Sequence, residues 1–224
     1  MLRVERDAYE PALAPGGRRL AYTAVRDGRS QVFVRDLRSG TTRVASGSDG
    51  EAYEPVLSRS GRFAAYTSTV AGRGRVYLRD LERGTSTLVA PRPGDGLAAG
   101  AAAFEPSVSH DGRRVAFVAR DGARRTRVYV HDLHTRTTAL VSRASGAQGV
   151  PASGDSAHPA ISGDGKRVAF TSTRSTSARR SATAPAASSS ATSRAPPRAW
   201  SRAATAPIVT SGRRRARVRA PTCS

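Results

Sequence analysis

The stretch AFEPSVSHDGRRVAFVARDGARRTRVYVHDLHTRTTALVS begins at Ala103, and its reading decides the fold because the same pattern stands earlier in the chain. AYEPALAPGGRRLAYTAVRDGRSQVFVRDLRSGTTRVAS begins at Ala8 and AYEPVLSRSGRFAAYTSTVAGRGRVYLRDLERGTSTLVA at Ala52, an offset of 44 residues with no gap. The Ala103 copy aligns with one inserted residue. SAHPAISGDGKRVAF, from Ser156 to Phe170, opens a fourth copy. Self-similarity at a period of 40 to 50 residues is the signature of a repeat architecture and takes precedence over any local reading.

Each copy resolves into four short strands. The first is Pro-led (PALA, PVLS, PSVS, PAIS), with the Pro expected at the strand start, where its missing N–H is tolerated. A turn glycine follows, Gly17, Gly61, Gly112 or Gly165, between β-prone runs, as in a hairpin. The second strand, RRLAYT, RFAAYT, RRVAFV or KRVAFT, alternates polar with apolar residues, which predicts one buried face and one wet face. VFVRDL, VYLRDL or VYVHDL is the third, and TTRVAS, TSTLVA or TTALVS the fourth. Four strands per repeat of this length is one propeller blade. The fold expected is all-β: a partial β-propeller of about three and a half four-stranded blades, followed by a disordered C-terminal tail. The boundaries are 8–51, 52–102 and 103–155 for three blades and 156–173 for half of a fourth. Residues 1–7 are the remnant of a preceding blade strand, since LRV at Leu2 to Val4 resembles TRV at Thr42 to Val44, although that segment could instead close a ring.

The Asp-Gly-Arg-Arg-Val-Ala-Phe, Val-Tyr-Val-x-Asp-Leu and Thr-Thr-x-x-Val-Ser elements resemble the WD-like repeats of TolB-type β-propellers over residues 8 to 173. The resemblance implies a non-enzymatic module, often exported, that holds a protein or ligand at one face of a ring. It also leaves a rival, the propeller domain of a larger enzyme such as a prolyl oligopeptidase-like peptidase. An arc of fewer than four blades would be open, with wet blade faces and an unpaired edge.

Charge is uneven along the chain. The 224 residues carry 37 Lys+Arg and 17 Asp+Glu, a formal net charge of +20. No acidic residue follows Asp164, whereas 11 of the basic residues lie from Arg174 onward, among Ala, Ser, Thr and Pro. Such a composition buries too little apolar surface to offset chain entropy, so 174–224 is expected to be disordered. The ordered part has no basic stripe interleaved with aromatics, so no specific nucleic-acid partner is expected. The cluster GRRRARVR, Gly212 to Arg219, would attract phosphate at low salt without implying a dedicated site.

The tail carries a second message. Serine as TCN, read one nucleotide earlier, becomes NTC and encodes Phe, Leu, Ile or Val; alanine and threonine codons shift to Gly/Arg/Ser/Cys and Asp/Asn/His/Tyr. Ser188 to Ser193 then permit Val, Phe, Val, Arg, Asp, Leu, which is the missing third strand. The reading stays in register with the third copy at a constant offset of 60 residues, with Trp200 permitting Leu opposite Leu140. The tail is therefore expected to be a frameshifted blade, with a low-complexity Ala/Ser/Arg tail as the alternative.

Candidate chemistry is sparse. The single Cys, Cys223, excludes a disulfide or Cys-based metal site within one chain. His131 and His134 stand three apart on a strand, hence on opposite faces, and make poor joint metal ligands. GDGLAAG, Gly94 to Gly100, lacks the spacing and the strand-to-helix setting of a phosphate loop. No nucleophile elbow occurs, so no enzyme activity and no cofactor are expected. The recurring carboxylates are the remaining candidates: Glu10, Glu54 and Glu105 at one blade position, with His158 in the fourth copy, and Asp36, Asp80 and Asp132 at another. Either set could line a ring mouth and attract cations or a basic partner, or could serve the blade itself, the Glu capping a loop and the Asp bonding amides of the turn after the third strand. No apolar run reaches the 18 to 20 residues of a membrane span, and MLRVERDAYEP lacks a secretory apolar region. The chain as written is expected to be cytoplasmic, with an intact parent that is periplasmic or extracellular.

Overall fold

The computed structural model describes residues 7–92, 97, 100–120, 124–143, 149 and 151–173, and the backbone of 189–194 and 209–212. Sixteen strands and no helix occur among them. They form four antiparallel sheets of four strands, each in simple meander order. Sheet one holds β1 (Tyr9–Leu13), β2 (Arg19–Arg26), β3 (Arg29–Asp36) and β4 (Thr42–Val44). Sheet two holds β5 (Glu51–Leu57), β6 (Phe63–Val70), β7 (Arg73–Asp80) and β8 (Thr85–Ala90). Sheet three holds β9 (Ala103–Val108), β10 (Arg114–Arg120), β11 (Thr126–Asp132) and β12 (Thr137–Leu140). Sheet four holds β13 (Ser156–Ile161), β14 (Arg167–Ser172), β15 (Ser189–Arg194) and β16 (Val209–Gly212).

The sheets are blades. Their first strands, β1, β5, β9 and β13, succeed one another in contact, whereas the fourth strands β4, β8 and β12 are not among the elements that pack closely on a neighbouring blade. The first strand is thus innermost and the fourth outermost. The core lies between blades: Ala21, Val32 and Val34 meet Ala64 and Tyr66; Ala65, Val76 and Leu78 meet Val115 and Phe117; Ala116, Val118 and Val128 meet Val168 and Phe170. Within blades one to three a cross-strand aromatic pair stacks between the second and third strands, Tyr22–Phe33, Tyr66–Tyr77 and Phe117–Tyr129, with centroids 5.7 to 5.8 Å apart.

Two local expectations change. The second strands are not half wet: β10 is buried at every residue but its last. Alternation in sequence gives a wet face only where nothing covers that face, and a middle blade is covered on both sides. β14 is the informative exception, since Val168 and Phe170 are buried toward blade three while Arg167 and Ala169 on the other face are exposed. The prolines also stand inside their strands, which begin at Tyr9, Glu51, Ala103 and Ser156. Each Pro lies within a β-bulge, a register shift that falls between Tyr9 and Ala12, between Tyr53 and Val56, and likewise in β9 and β13. On an innermost edge strand the missing N–H has no ladder partner to lose.

In blade four the expected pair of strands is joined by two further backbone strands, Ser189–Arg194 pairing with β14 and Val209–Gly212 with β15. The third-strand slot falls on the residues that the shifted frame singles out, but in another register. Phe117 faces Tyr129, and Phe170 faces Ala191 rather than Ser189, the residue that an offset of 60 places there. A slip of two keeps each residue on the same face of the sheet, and a backbone ladder accepts it. The other expectations for residues 174–224, including GRRRARVR and Cys223, and those for residues 1–6 lie outside the described residues.

Candidate functional site

At each bulge one residue carries the left-handed backbone: Glu10 (φ 51°), Glu54 (φ 55°), Glu105 (φ 51°) and His158 (φ 52°). A non-glycine residue there costs about 1–2 kcal/mol, so its recurrence in all four blades implies a compensating contact. The bulge turns the residue's N–H away from its own sheet and toward the preceding blade. The Glu54 N–H donates to Glu10 Oε2 at 2.7 Å, the Glu105 N–H to Glu54 Oε2 at 2.9 Å, and the His158 N–H to Glu105 Oε2 at 2.7 Å. The same oxygens of Glu10 and Glu54 accept the hydroxyls of Thr23 and Thr67 from the second strands, at 2.9 and 2.8 Å. Blade three has Val118 at the threonine position, and in blade four His158 Nδ1 lies 3.2 Å from Thr171 Oγ1. The glutamates thus form a relay along the inner strands, each clipping the next blade to its own.

The aspartates sit at the other end of the blade, where the third strand enters its turn. Asp36 Oδ1 accepts the N–H groups of Arg38 and Ser39, Asp80 Oδ1 those of Glu82 and Arg83, and Asp132 Oδ1 those of His134 and Thr135, all at 2.9 to 3.2 Å. An arginine beside the hairpin glycine closes each carboxylate from above. Arg18 Nε lies 3.2 Å from Asp36, Arg62 holds Asp80 at 2.7 Å, and Arg113 and Arg114 each reach Asp132 at 3.1 Å. The Arg62 hydrogen bonds, then the turn amides, hold the Asp80 carboxyl at about 2. Burial pushes Asp132 up, but Arg113, the Thr135 amide, Arg114 and the His134 amide outweigh it and bring that carboxyl to about 2. The Ser39 and Arg38 amides lower the half-buried Asp36 carboxyl as well.

The two carboxylate sets therefore lie at opposite ends of the blades and do not converge. His131 is buried with Nδ1 2.9 Å from Thr138 Oγ1, while His134 lies in the following turn and gives its amide to Asp132. No group of three or more metal-ligating side chains occurs among the described residues. Of Gly94 to Gly100 only Leu97 and Gly100 are described, and Leu97 packs against the core between blades two and three.

Sequence reading missed the arginine clamp, although its signal recurs as GRR, GRF, GRR and GKR after each turn. It also missed a packing role for the turn glycine. A Cβ on Gly61 would lie 3.3 Å from Arg19 Cβ, one on Gly112 2.3 Å from the Phe63 ring, and one on Gly165 3.5 Å from Arg114 Cβ. Each blade lays one side chain over the next blade's hairpin, and Arg19 and Arg114 also donate to the carbonyls of Gly61 and Gly165 at 2.8 and 3.0 Å.

The connections between blades vary where these contacts repeat. Residues 45–50, 91–102 and 141–155 join the fourth strand of one blade to the first of the next, so the connections lengthen along the chain, and the strands they join end on the glutamate side of the blades.

No family model matches the sequence, and no curated protein matches it by sequence. Solved structures do share the fold. TolB from Acinetobacter baumannii superposes with a TM-score of 0.56 at 18% identity, over 82% of this chain and 39% of that one. A puromycin-hydrolyzing peptidase from Mycobacterium tuberculosis gives 0.54 at 18%, over 87% and 28%. The β-propeller domain of the Trilobed protease from Pyrococcus furiosus, described as having an open velcro topology, gives 0.53 at 12%, over 88% and 56%. The chain has a TolB-like β-propeller fold and spans about two fifths of the length of that TolB. Among the described residues no helix is long and apolar enough to cross a membrane.

Proposed function

We propose that this chain is a non-enzymatic binding module that holds a protein segment or small ligand on the glutamate side of the blades, where the strands joined by the inter-blade connections end. The observation that carries this reading is the division of labour in the repeat. The side chains that recur are already occupied, Glu10, Glu54 and Glu105 in tying one blade to the next and Asp36, Asp80 and Asp132 in closing the turn within each blade. What differs from blade to blade is the connecting segments, and variable loops on a rigid scaffold are where recognition is usually placed. The glutamate relay lines the inner strands and adds negative potential there, which favours a partner with basic side chains.

A second reading makes the arc the propeller domain of a larger peptidase. It is supported by the peptidases that share the fold, and the fold alone does not choose between the two. One experiment separates them. The purified protein is incubated with an immobilised library of short peptides and, in parallel, with chromogenic peptide substrates. Saturable retention of a peptide subset without turnover, reduced by substitutions in 91–102 or 141–155, is the expected result. Turnover of a chromogenic peptide, or retention indifferent to those segments, contradicts the module reading.

A further inference from the structure

One arginine recurs at the head of the third strand. Arg29 and Arg73 open β3 and β7, and Arg125 directly precedes β11, each three residues before the first valine of its strand, Val32, Val76 or Val128. All three stand on the glutamate side and turn toward the segment that leads out of their own blade. Arg29 Nη1 donates to the Ser48 carbonyl at 3.2 Å, and Arg125 Nη1 to the Ser153 carbonyl at 2.7 Å. The Arg73 guanidinium lies over Gly100, with Nη1 3.2 Å from where a Cβ would stand. Ser48, Gly100 and Ser153 each lie three residues before the next blade's opening strand, β5, β9 or β13. The longest connection is held most. There Arg127 adds donations to the carbonyls of Ala152 and Gly154, and Asp155 Oδ1 accepts the Thr126 N–H and hydroxyl at 2.8 and 3.2 Å. The Ala152 N–H donates to the Ser142 carbonyl at 2.9 Å, and the Asp155 N–H to Thr173 Oγ1 at 3.0 Å.

We infer that Arg29, Arg73 and Arg125 are positioning residues of the binding face, which set the shape of each inter-blade connection before a partner arrives; the inference rests on the module reading above. A carbonyl on an exposed segment is satisfied nearly as well by water, so an arginine on it adds little to the blade. Fixing that side chain also costs it rotamer freedom. The contact nonetheless recurs at one blade position and meets the same point of connections that differ in length. Its return is order in the connection, and a connection already ordered loses less entropy when a partner binds. Longer segments have more freedom to lose, which accounts for the added donors on 151–155. The planar guanidinium suits the task because its donors are fixed in direction, whereas a lysine ammonium reaches a carbonyl without setting its orientation.

The test uses Arg125→Ala and Arg125→Lys in the full chain, at an exposed position where substitution changes stability little. The probe is a fluorescein-labelled peptide from the subset that the unsubstituted protein retains. Arg125→Ala is expected to bind it about tenfold more weakly and to exchange the Ala152 and Asp155 amides faster, while the Glu105 and His158 amides stay protected and the urea midpoint is unchanged. Arg125→Lys is expected to fall between the two proteins in affinity and in exchange. Unchanged affinity with faster exchange confines the arginine to its loop and overturns the inference. Weaker affinity with unchanged exchange places Arg125 on the peptide itself, and a lowered urea midpoint makes it a residue of the fold; either result overturns the inference and leaves the module reading standing. An unsubstituted protein that retains no peptide removes that reading and this inference together.

Discussion

Glu54 Oε2 accepts the backbone N–H of Glu105 at 2.9 Å across the joint between blades two and three, while holding the Thr67 hydroxyl at 2.8 Å within its own blade. One oxygen therefore ties a bulge, a strand and a neighbouring blade. Glu54→Ala leaves the N–H and the hydroxyl without their acceptor, and should cost about 1–3 kcal/mol. Glu54→Gln keeps an acceptor and should cost less. Urea denaturation of both variants checks the order.

The turn aspartates should rank by burial. Asp132 is 1% exposed and faces two arginines, so Asp132→Asn breaks a buried ion pair and should cost about 3 kcal/mol or more. Asp80→Asn should cost less, and Asp36→Asn, whose Arg18 partner is 61% exposed, least. The same denaturation series measures all three.

Acid should act through these carboxylates. Asp80 and Asp132 are lowered from an ordinary 3.8 to about 2 in the folded protein. A depressed folded value contributes stability above the unfolded value, and that contribution is lost as pH falls through the folded one. Stability should therefore drop between about pH 4 and pH 2. Asp132→Asn should flatten that drop, measured as the denaturation midpoint against pH.

The hairpin glycines separate backbone strain from packing. Gly17→Ala and Gly112→Ala pay the same left-handed cost, about 1–2 kcal/mol. Only at Gly112 does the new Cβ meet the Phe63 ring, at 2.3 Å. Gly112→Ala should be the more destabilising by thermal melting, and Gly112→Ala with Phe63→Ala should recover part of the difference.

The shifted-frame reading has its own test. DNA across codons 170 to 207 should encode a sequence close to VFVRDL at codons 188 to 193 in the frame one nucleotide upstream. A chain carrying that strand should set its second residue opposite Phe170, in the register of Phe117 and Tyr129. Any other reading in that frame removes the expectation.

Blade number and strand order were legible because the repeat is long and each strand's type recurs in place. The relay was not, since a bulge leaves no mark in a single sequence beyond a Glu-Pro pair, and the acceptor for its N–H lies 44 to 53 residues away. Alternation in the second strands misled for a related reason: Arg113 and Arg114 look solvent-facing in sequence, but Arg114 is 8% exposed because the next blade and Asp132 enclose it. The arginine clamp was in view at every turn and needed only the question of what each Asp holds.

The account rests on blades joined in series by the bulge carboxylates, and amide hydrogen exchange reads that directly. The amides of Glu54, Glu105 and His158 should be protected, and that of Glu10 should exchange faster. Glu54→Ala should release Glu105 selectively while leaving Glu54 and His158 protected. Equal exchange at all four positions, or no response of Glu105 to Glu54→Ala, would contradict the account.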